Sequence, residues 1–152
     1  MTACSTWGES DYSPAISVSH FFHHPIDTAA DMDTLRVISI PNGLDTIKLG
    51  DTVRFNVNIN AVTSTLVSFQ LSKCDTSALD FSLTNLTSDF RSALADSSSI
   101  EDCKLYFKEG YVGAGFGLQY IATKVGVHEV TMEVKSTSKY EKSYLTFTQP
   151  VF

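Results

Sequence analysis

Residues 53–62, Val-Arg-Phe-Asn-Val-Asn-Ile-Asn-Ala-Val, decide the fold of this chain of 152 residues. Apolar and polar side chains alternate strictly from Val53 to Ala61. A period of two gives a strand one buried face and one wet face, as in an antiparallel sheet with solvent on one side. A helix would scatter the same apolar residues around its circumference. The stretch therefore predicts a long β-strand.

Shorter alternating runs predict further strands, and turn-forming residues separate them. These runs are residues 16–22, 35–40, 66–72, 79–83, 103–107, 116–122, 127–134 and 144–151. In the first run, Ile16, Val18 and Phe22 are expected to share the buried face. Residues 88–95 instead have helical spacing, with Ser88 as the expected N-cap. The predicted fold class is all-β, an antiparallel sandwich of about eight strands with a short helical insertion.

The composition is that of a folded, weakly charged protein, with 43% hydrophobic residues, 18% charged residues and a net charge of −6. A chain of this length can bury a sufficient core as one domain, without a metal or many disulfides. Nucleic acid is not an expected partner, because its binders concentrate positive charge on one face. No apolar run approaches the ~20 residues that a membrane helix needs.

The N-terminal residues Met1-Thr2-Ala3-Cys4 resemble the end of a bacterial lipobox, in which hydrophobic and small residues precede a Cys that becomes diacylated. The resemblance implies that Cys4 is lipidated and anchors the protein to a membrane outside the cytoplasm. Residues 1–15 are then expected to form a flexible tether, and residues 16–152 a single folded domain. The alternative is an ordinary N-terminus with an incidental Cys.

Cys74 and Cys103 are the two remaining cysteines, and each lies at the end or start of a predicted strand. In an oxidising compartment they would pair and close a loop of about 28 residues, which would add roughly 3–4 kcal/mol to stability. Two buried thiols are the alternative. The sequence does not contain the Cα separation that decides between them.

Two segments resemble strands of the immunoglobulin-like modules of bacterial surface proteins. Residues 47–55 resemble the entry into strand B, and residues 126–134 resemble strand F. The resemblance implies that residues 144–151 form strand G beside strand F. His128 and Val130 stand where antibody-type domains have Tyr and Cys, so the tyrosine corner and the inter-sheet disulfide are absent.

The chain as a whole is similar to small lipoproteins of gut Bacteroidetes, which implies an outer-membrane location. Four Asp-Thr-apolar triplets also match the sequon that Bacteroidetes use to O-glycosylate exported proteins. Their threonines are Thr28, Thr34, Thr46 and Thr52. The alternative is that Asp and Thr simply begin turns and strands here.

Motifs for catalysis or cofactor binding are not found, so the chain is predicted to be no enzyme and to need no cofactor. His20, His23 and His24 cluster, yet adjacent residues of a strand point to opposite faces, and no metal site is expected. The glycine-rich residues 111–117 run into a predicted strand. Since a phosphate loop leads into a helix, phosphate binding is not predicted.

Binding is the predicted function, with a glycan or a protein as ligand and the membrane as a partner through the lipid anchor. Aromatic residues are the candidates for stacking on such a ligand. They are Trp7, Tyr12, Tyr106, Tyr111, Tyr140 and Tyr144. The alternative is that they only cover the sheet surface. A competing function is a structural subunit of a cell-envelope complex that pairs through an exposed strand edge. The third possible function is that of a hydrolase without a recognisable motif.

Overall fold

The computed structural model describes residues 12–26, 36–37, 44–73, 77–84 and 86–152. This part of the chain contains nine strands and one short helix. In chain order they are β1 Ala15–His24, β2 Arg36–Val37, β3 Thr52–Asn60, β4 Leu66–Lys73, β5 Leu79–Thr84, α1 Ser88–Ala93, β6 Lys104–Tyr106, β7 Gly113–Ala122, β8 Gly126–Ser136 and β9 Lys142–Val151. Of the strand predicted at residues 35–40, only β2 is described.

The strands form two antiparallel sheets packed face to face. One sheet has the order β2-β1-β3-β7-β5 and the other the order β6-β4-β8-β9. The series β1-β3-β7-β5 opposite β4-β8-β9 is the A-B-E-D and C-F-G arrangement of immunoglobulin constant-type domains. The predicted all-β, immunoglobulin-like sandwich is therefore confirmed, with β3, β8 and β9 in the expected positions of strands B, F and G.

The strand that decides the fold, β3, lies between β1 and β7. Its apolar residues are buried and the intervening polar residues are exposed, as the alternation predicted. The ring of Phe55 stacks on that of Phe21 of β1 at 4.7 Å and meets that of Phe147 of β9 edge-on at 5.8 Å. Aromatic contacts from one central strand thus join the two sheets.

β1 contains a bulge between Ser19 and Phe22. His20 has a φ of 56°, in the left-handed region. The irregularity changes which side chains face the core, so Phe21 and His23 are buried while Phe22 is half-buried. The expectation that Phe22 shares the buried face was therefore wrong.

The predicted helical insertion is confirmed as α1, which lies between β5 and β6. Its N-cap is Thr87, whose Oγ1 accepts the N–H of Phe90 at 3.1 Å, and the expectation that Ser88 is the cap was wrong by one residue. Phe90 and Ala93 are buried, so one side of this helix packs against the core. Within the described ranges, no helix is long and apolar enough to cross a membrane.

Residues 44–49 run parallel to the end of β9 and cover its outer edge. The backbone hydrogen bonds are Leu44 N–H to Thr148 O, Ile47 N–H to Pro150 O and Leu49 N–H to Phe152 O, with lengths of 3.0, 3.1 and 2.9 Å. Gln149 is wholly buried beneath this segment and donates to the carbonyl of Asp45 at 2.9 Å. Its Oε1 accepts the hydroxyl of Tyr120 from the opposite sheet at 2.5 Å. The side chain of Gln149 therefore links β9 both to the five-stranded sheet and to the segment of residues 44–49.

The carboxylate of Asp51 holds the turn that leads into β3. It accepts the N–H groups of Ile26 at 2.8 Å and Lys48 at 2.9 Å, and it lies 2.6 Å from Nε2 of His23. Asp51 and His23 are 1% and 5% exposed. Burial alone would raise the pKa of Asp51, but the hydrogen bonds from Ile26, His23 and Lys48, with the attraction of His23, lower it below its ordinary value.

Replacing Asp51 with Ala is expected to lower the free energy of unfolding by about 3–5 kcal/mol, measured by urea denaturation. The substitution leaves His23 and two backbone N–H groups without their acceptor. Leu49→Ala, in the same turn but with an exposed side chain, is the control and should change stability by no more than about 0.5 kcal/mol.

The pH dependence tests the same carboxylate. Because its folded pKa is below the unfolded value of about 3.9, its stabilisation is present above that value and is lost as the pH falls through the lower folded pKa. Asp51→Asn should therefore flatten the loss of stability on acidification below about pH 4. Equal acid sensitivity in wild type and Asp51→Asn would contradict this role.

Candidate functional site

One of the three cysteines belongs to the described residues. Cys103 is buried directly before β6, at the strand start where the alternation placed it. Cys4 and Cys74 lie outside the described residues. Lipidation of Cys4 and pairing of Cys74 with Cys103 therefore stay predictions.

Two of the four threonines in Asp-Thr triplets can be located. Thr46 is exposed in the segment along β9, and Thr52 is half-buried as the first residue of β3. Thr28 and Thr34 lie outside the described residues. Glycosylation of any of the four stays a prediction, with Thr46 the more accessible of the two located hydroxyls.

The three clustered histidines all belong to β1. His23 is the buried partner of Asp51, His24 is half-buried, and exposed His20 has its Nδ1 2.9 Å from the hydroxyl of Ser19. In the described part of the chain, no group of three or more His, Cys, Asp or Glu residues is arranged to hold a metal ion. The cluster thus contributes one structural residue to the turn before β3.

Two of the aromatic candidates lie on one surface, the outer side of the four-stranded sheet. Tyr106 on β6 is 39% exposed and Tyr144 on β9 is 57% exposed. These are the outermost strands of the sheet, with β4 and β8 between them. Three strand spacings separate the two tyrosines, about 14 Å across the sheet. Of the other candidates, Tyr12, Tyr111 and Tyr140 lie on no strand, and Trp7 lies outside the described residues.

The strand register places eight of the outward residues of this sheet in two neighbouring rows, which we call the tyrosine face. The rows, each in the order β6-β4-β8-β9, are Tyr106-Ser68-Lys135-Lys142 and Lys104-Gln70-Glu133-Tyr144. The two tyrosines therefore occupy diagonal corners. Polar side chains from β4 and β8 fill the centre between them.

The centre of the tyrosine face is nearly buried although it lies on the outer side of the sheet. Ser68 and Glu133 are each 8% exposed. The hydroxyl of Ser68 has no hydrogen-bond partner among the described residues. Glu133 accepts one bond, from Nε2 of Gln70 at 3.5 Å, which is the outer limit of hydrogen bonding. The centre thus keeps unused hydrogen-bonding capacity.

This unused capacity is directed to the outside of the molecule. Among the described residues, no enclosed side-chain nitrogen or oxygen lacks a partner, so the unpaired oxygens of Ser68 and Glu133 must remain open to solvent. No described cation forms an ion pair with Glu133, since Lys135 instead reaches Glu141 at 3.8 Å. The tyrosine face can therefore offer a ligand two aromatic rings, a carboxylate and a hydroxyl.

A second surface lies on the outer side of the five-stranded sheet. Asn56, Asn58 and Asn60 stand opposite Gly117, Gly115 and Gly113, and a shallow groove of about 240 Å³ follows part of this row. A Cβ on Gly115 would lie 2.9 Å from Oδ1 of Asn58, so glycine leaves room for that amide. The register between the two strands is unbroken along this row. Asn60 accepts the N–H of Val62 at 2.6 Å. No charged residue lines the groove, and its one aromatic lining residue, Phe116, is buried.

The third candidate site is a depression of about 480 Å³. It lies beside Cys103 and between β4, β5 and the turn before β6. Its ionisable lining residues are Asp80, Glu101, Asp102 and Lys104. Asp102 accepts the hydroxyl of Ser99 at 2.9 Å, which holds the turn. The three acidic residues are exposed, so this depression has fewer features of a binding site than the tyrosine face.

Comparison with known proteins adds little to this geometry. No protein-family model matches the chain, and no curated protein matches it. Solved structures with a similar fold include a family 123 glycoside hydrolase from Clostridium perfringens, which hydrolyses glycolipid glycans (14% identity, TM-score 0.45, covering 93% of this chain and 27% of that one). Others are domains 4 and 5 of the S-layer protein SbsC (13% identity, TM-score 0.36, 76% and 51%) and AggA, the major subunit of aggregative adherence fimbriae type I of Escherichia coli (7% identity, TM-score 0.39, 95% and 99%). The chain spans about a quarter of the hydrolase and half of the S-layer fragment, and likenesses this distant carry no functional argument.

Glu133→Gln is expected to raise the free energy of unfolding by about 0.5–1 kcal/mol, because it replaces a mostly covered carboxylate, which has one long hydrogen bond, with a neutral amide of the same shape. Urea denaturation near neutral pH measures the change. Glu109→Gln, at an exposed turn, is the matched control and should be neutral within about 0.5 kcal/mol. A loss of more than about 1 kcal/mol in Glu133→Gln would instead make the carboxylate a structural group.

Proposed function

We propose that this chain is a non-enzymatic binding module, exported and anchored through a lipid on Cys4, that captures a glycan or a protein on the tyrosine face. One observation carries the proposal. Two exposed tyrosines occupy diagonal corners of one sheet face, and the centre between them holds nearly buried polar groups with unused hydrogen-bonding capacity.

The side-chain types of this face support binding. A tyrosine presents a large apolar ring and a hydroxyl on few rotatable bonds, so little entropy is lost when a ligand covers it. Ser68 and Glu133 are mostly covered, and their unpaired oxygens face solvent, so a ligand can take the place of water there. A surface that keeps such residues is typical of sites where binding outweighs stability.

The location of the face is compatible with an anchor at the N-terminus. β1, the first described strand, lies in the five-stranded sheet, whereas the tyrosine face belongs to the other sheet. A tether that leaves from β1 therefore starts on the opposite side of the sandwich from the face. The similarity of residues 1–4 to a lipobox, and of the chain to Bacteroidetes lipoproteins, supports an outer-membrane location.

The surroundings of the ionisable residues support a non-enzymatic role. His23 and Asp51 form a buried pair that closes the turn before β3, out of reach of a substrate. Glu133 has no second carboxylate opposite it, because its cross-strand neighbours are Gln70 and Tyr144. Hydrolysis by paired carboxylates has no basis at this position.

A structural subunit is the second candidate, and the edge of β9 favours it. Residues 44–49 cover this edge only from Thr148 onward. Within the described ranges, no strand pairs with the outer edge of residues 142–146. A strand from another chain would add to the sheet there by β-augmentation.

The anchor is tested on protein expressed from its native gene with the upstream sequence. Intact-mass and peptide mass spectrometry should find a mature N-terminus at Cys4 that carries acyl chains, and Cys4→Ser should abolish the modification. The same spectra report a Cys74–Cys103 bridge and any sugar on the Asp-Thr sites. An unprocessed chain that begins at Met1 with three reduced cysteines would refute export and anchoring.

The face is tested with the unlipidated full chain, Cys4→Ser, on an array that contains both glycans and extracellular proteins. Tyr106→Ala and Tyr144→Ala should each weaken binding to the recognised target about 10-fold or more, as for aromatic residues at a binding centre. Tyr111→Ala removes an exposed tyrosine that is on no strand and in neither row of the tyrosine face, and it should leave binding unchanged.

Two outcomes would replace the proposal. Binding that survives loss of both tyrosines but disappears in Thr146→Pro, which removes a backbone N–H from the edge of β9, would assign the function to strand pairing. Turnover of a substrate by the wild type, abolished by a single substitution, would make the chain an enzyme.

A further inference from the structure

We infer that the ligand of the tyrosine face is a neutral polysaccharide chain, bound along its length across the four strands. The inference rests on the proposed function of this face and names the chemical class of its ligand. Its basis is the order in which polar and aromatic groups follow one another from Tyr106 to Tyr144.

The distribution of polarity argues against a protein partner. Protein interfaces have a centre depleted of charged residues, with the polar groups in a solvated rim. The tyrosine face has the opposite arrangement, with the carboxylate of Glu133 in the centre and the aromatic rings at the corners. A flat apolar protein surface would cover this carboxylate and leave it unpaired, which is strongly unfavourable.

The unused groups in the centre match a ligand that is rich in hydroxyl groups. An ionised carboxylate only accepts hydrogen bonds, whereas a serine hydroxyl donates and accepts. Glu133 therefore needs donors, and neighbouring Ser68 suits either kind of group. Adjacent hydroxyls on a sugar ring provide donors and acceptors at such short spacing.

The charges of the face favour a neutral chain. Lys104 and Lys142 lie at its margins, Lys135 is paired with Glu141, and Glu133 lies in the centre. An anionic polymer would meet Glu133, and a cationic polymer would meet the lysines. A neutral chain avoids both repulsions while it keeps the hydrogen bonds.

The separation of the tyrosines sets the length of the ligand. Tyr106 and Tyr144 differ by three strand spacings across the sheet and by two residues along it, which places them about 16 Å apart. One sugar ring covers one tyrosine with its apolar C–H face, so contact with both requires several consecutive sugars. Tyrosines at opposite corners of an open face fit the interior of a chain, not its end.

The inference is tested with the unlipidated full chain, Cys4→Ser, against soluble neutral polysaccharides such as xylan, mannan and β-glucan. Affinity electrophoresis selects the polysaccharide that binds, and calorimetry then measures a series of its oligosaccharides of increasing length. Affinity should rise with length until the oligosaccharide spans about 16 Å and then level off. Glu133→Gln, Tyr106→Ala and Tyr144→Ala should each reduce affinity about 10-fold or more, with Tyr111→Ala as the unchanged control.

The results separate failure of this inference from failure of the proposed function. Tyrosine-dependent binding of a protein with no binding of any polysaccharide would overturn the ligand class and leave the binding face intact. Binding of acidic polysaccharides only would overturn neutrality, and a monosaccharide that binds as tightly as the longest oligosaccharide would overturn the extended mode. If no target depends on either tyrosine, both the ligand class and the function of the face are wrong.

Discussion

The buried carboxylate of Asp51 is the constraint on which the arrangement of the sheets depends. It joins the end of β1, through His23, to the turn that begins β3, through the N–H of Lys48. Gly50 makes this turn with a φ of 91°, which only glycine adopts without strain, and its N–H bonds to the carbonyl of Ala122 in β7. The carboxylate and the glycine together set β3 between its two neighbours. The aromatic contacts of Phe55 with the opposite sheet follow from that position.

The two outer faces of the sandwich satisfy their polar groups in different ways. On the five-stranded sheet, asparagines project beside a row of glycines, and water reaches their amides. On the four-stranded sheet, Ser68 and Glu133 are covered by their neighbours and keep few of their hydrogen bonds. Water reaches the polar groups of the first face freely, whereas the second has mostly covered polar groups at which a ligand can replace the remaining solvent. This difference, more than the depth of any depression, singles out the tyrosine face.

Local alternation predicted most of the strands, because burial on one side of a strand repeats every two residues. The bulge in β1 could not be predicted, since its left-handed residue is His20 and not a glycine. Thr87 and Ser88 are both good caps, so the sequence pattern did not distinguish them. The tyrosine face itself depends on β4 lying between β6 and β8, a pairing of strands distant in sequence. The low exposure of Glu133 likewise arises from Gln70 and Tyr144 on neighbouring strands.

Residues 44–51 make backbone hydrogen bonds to β9 of one sheet and to Ala122 of the other. A continuous segment of eight residues therefore spans the open side of the sandwich, and neither sheet can separate without breaking its bonds to that segment. Side-chain bonds of Gln149 to Tyr120 and to Asp45 reinforce the same link. We therefore expect cooperative unfolding, in which the two sheets are lost together.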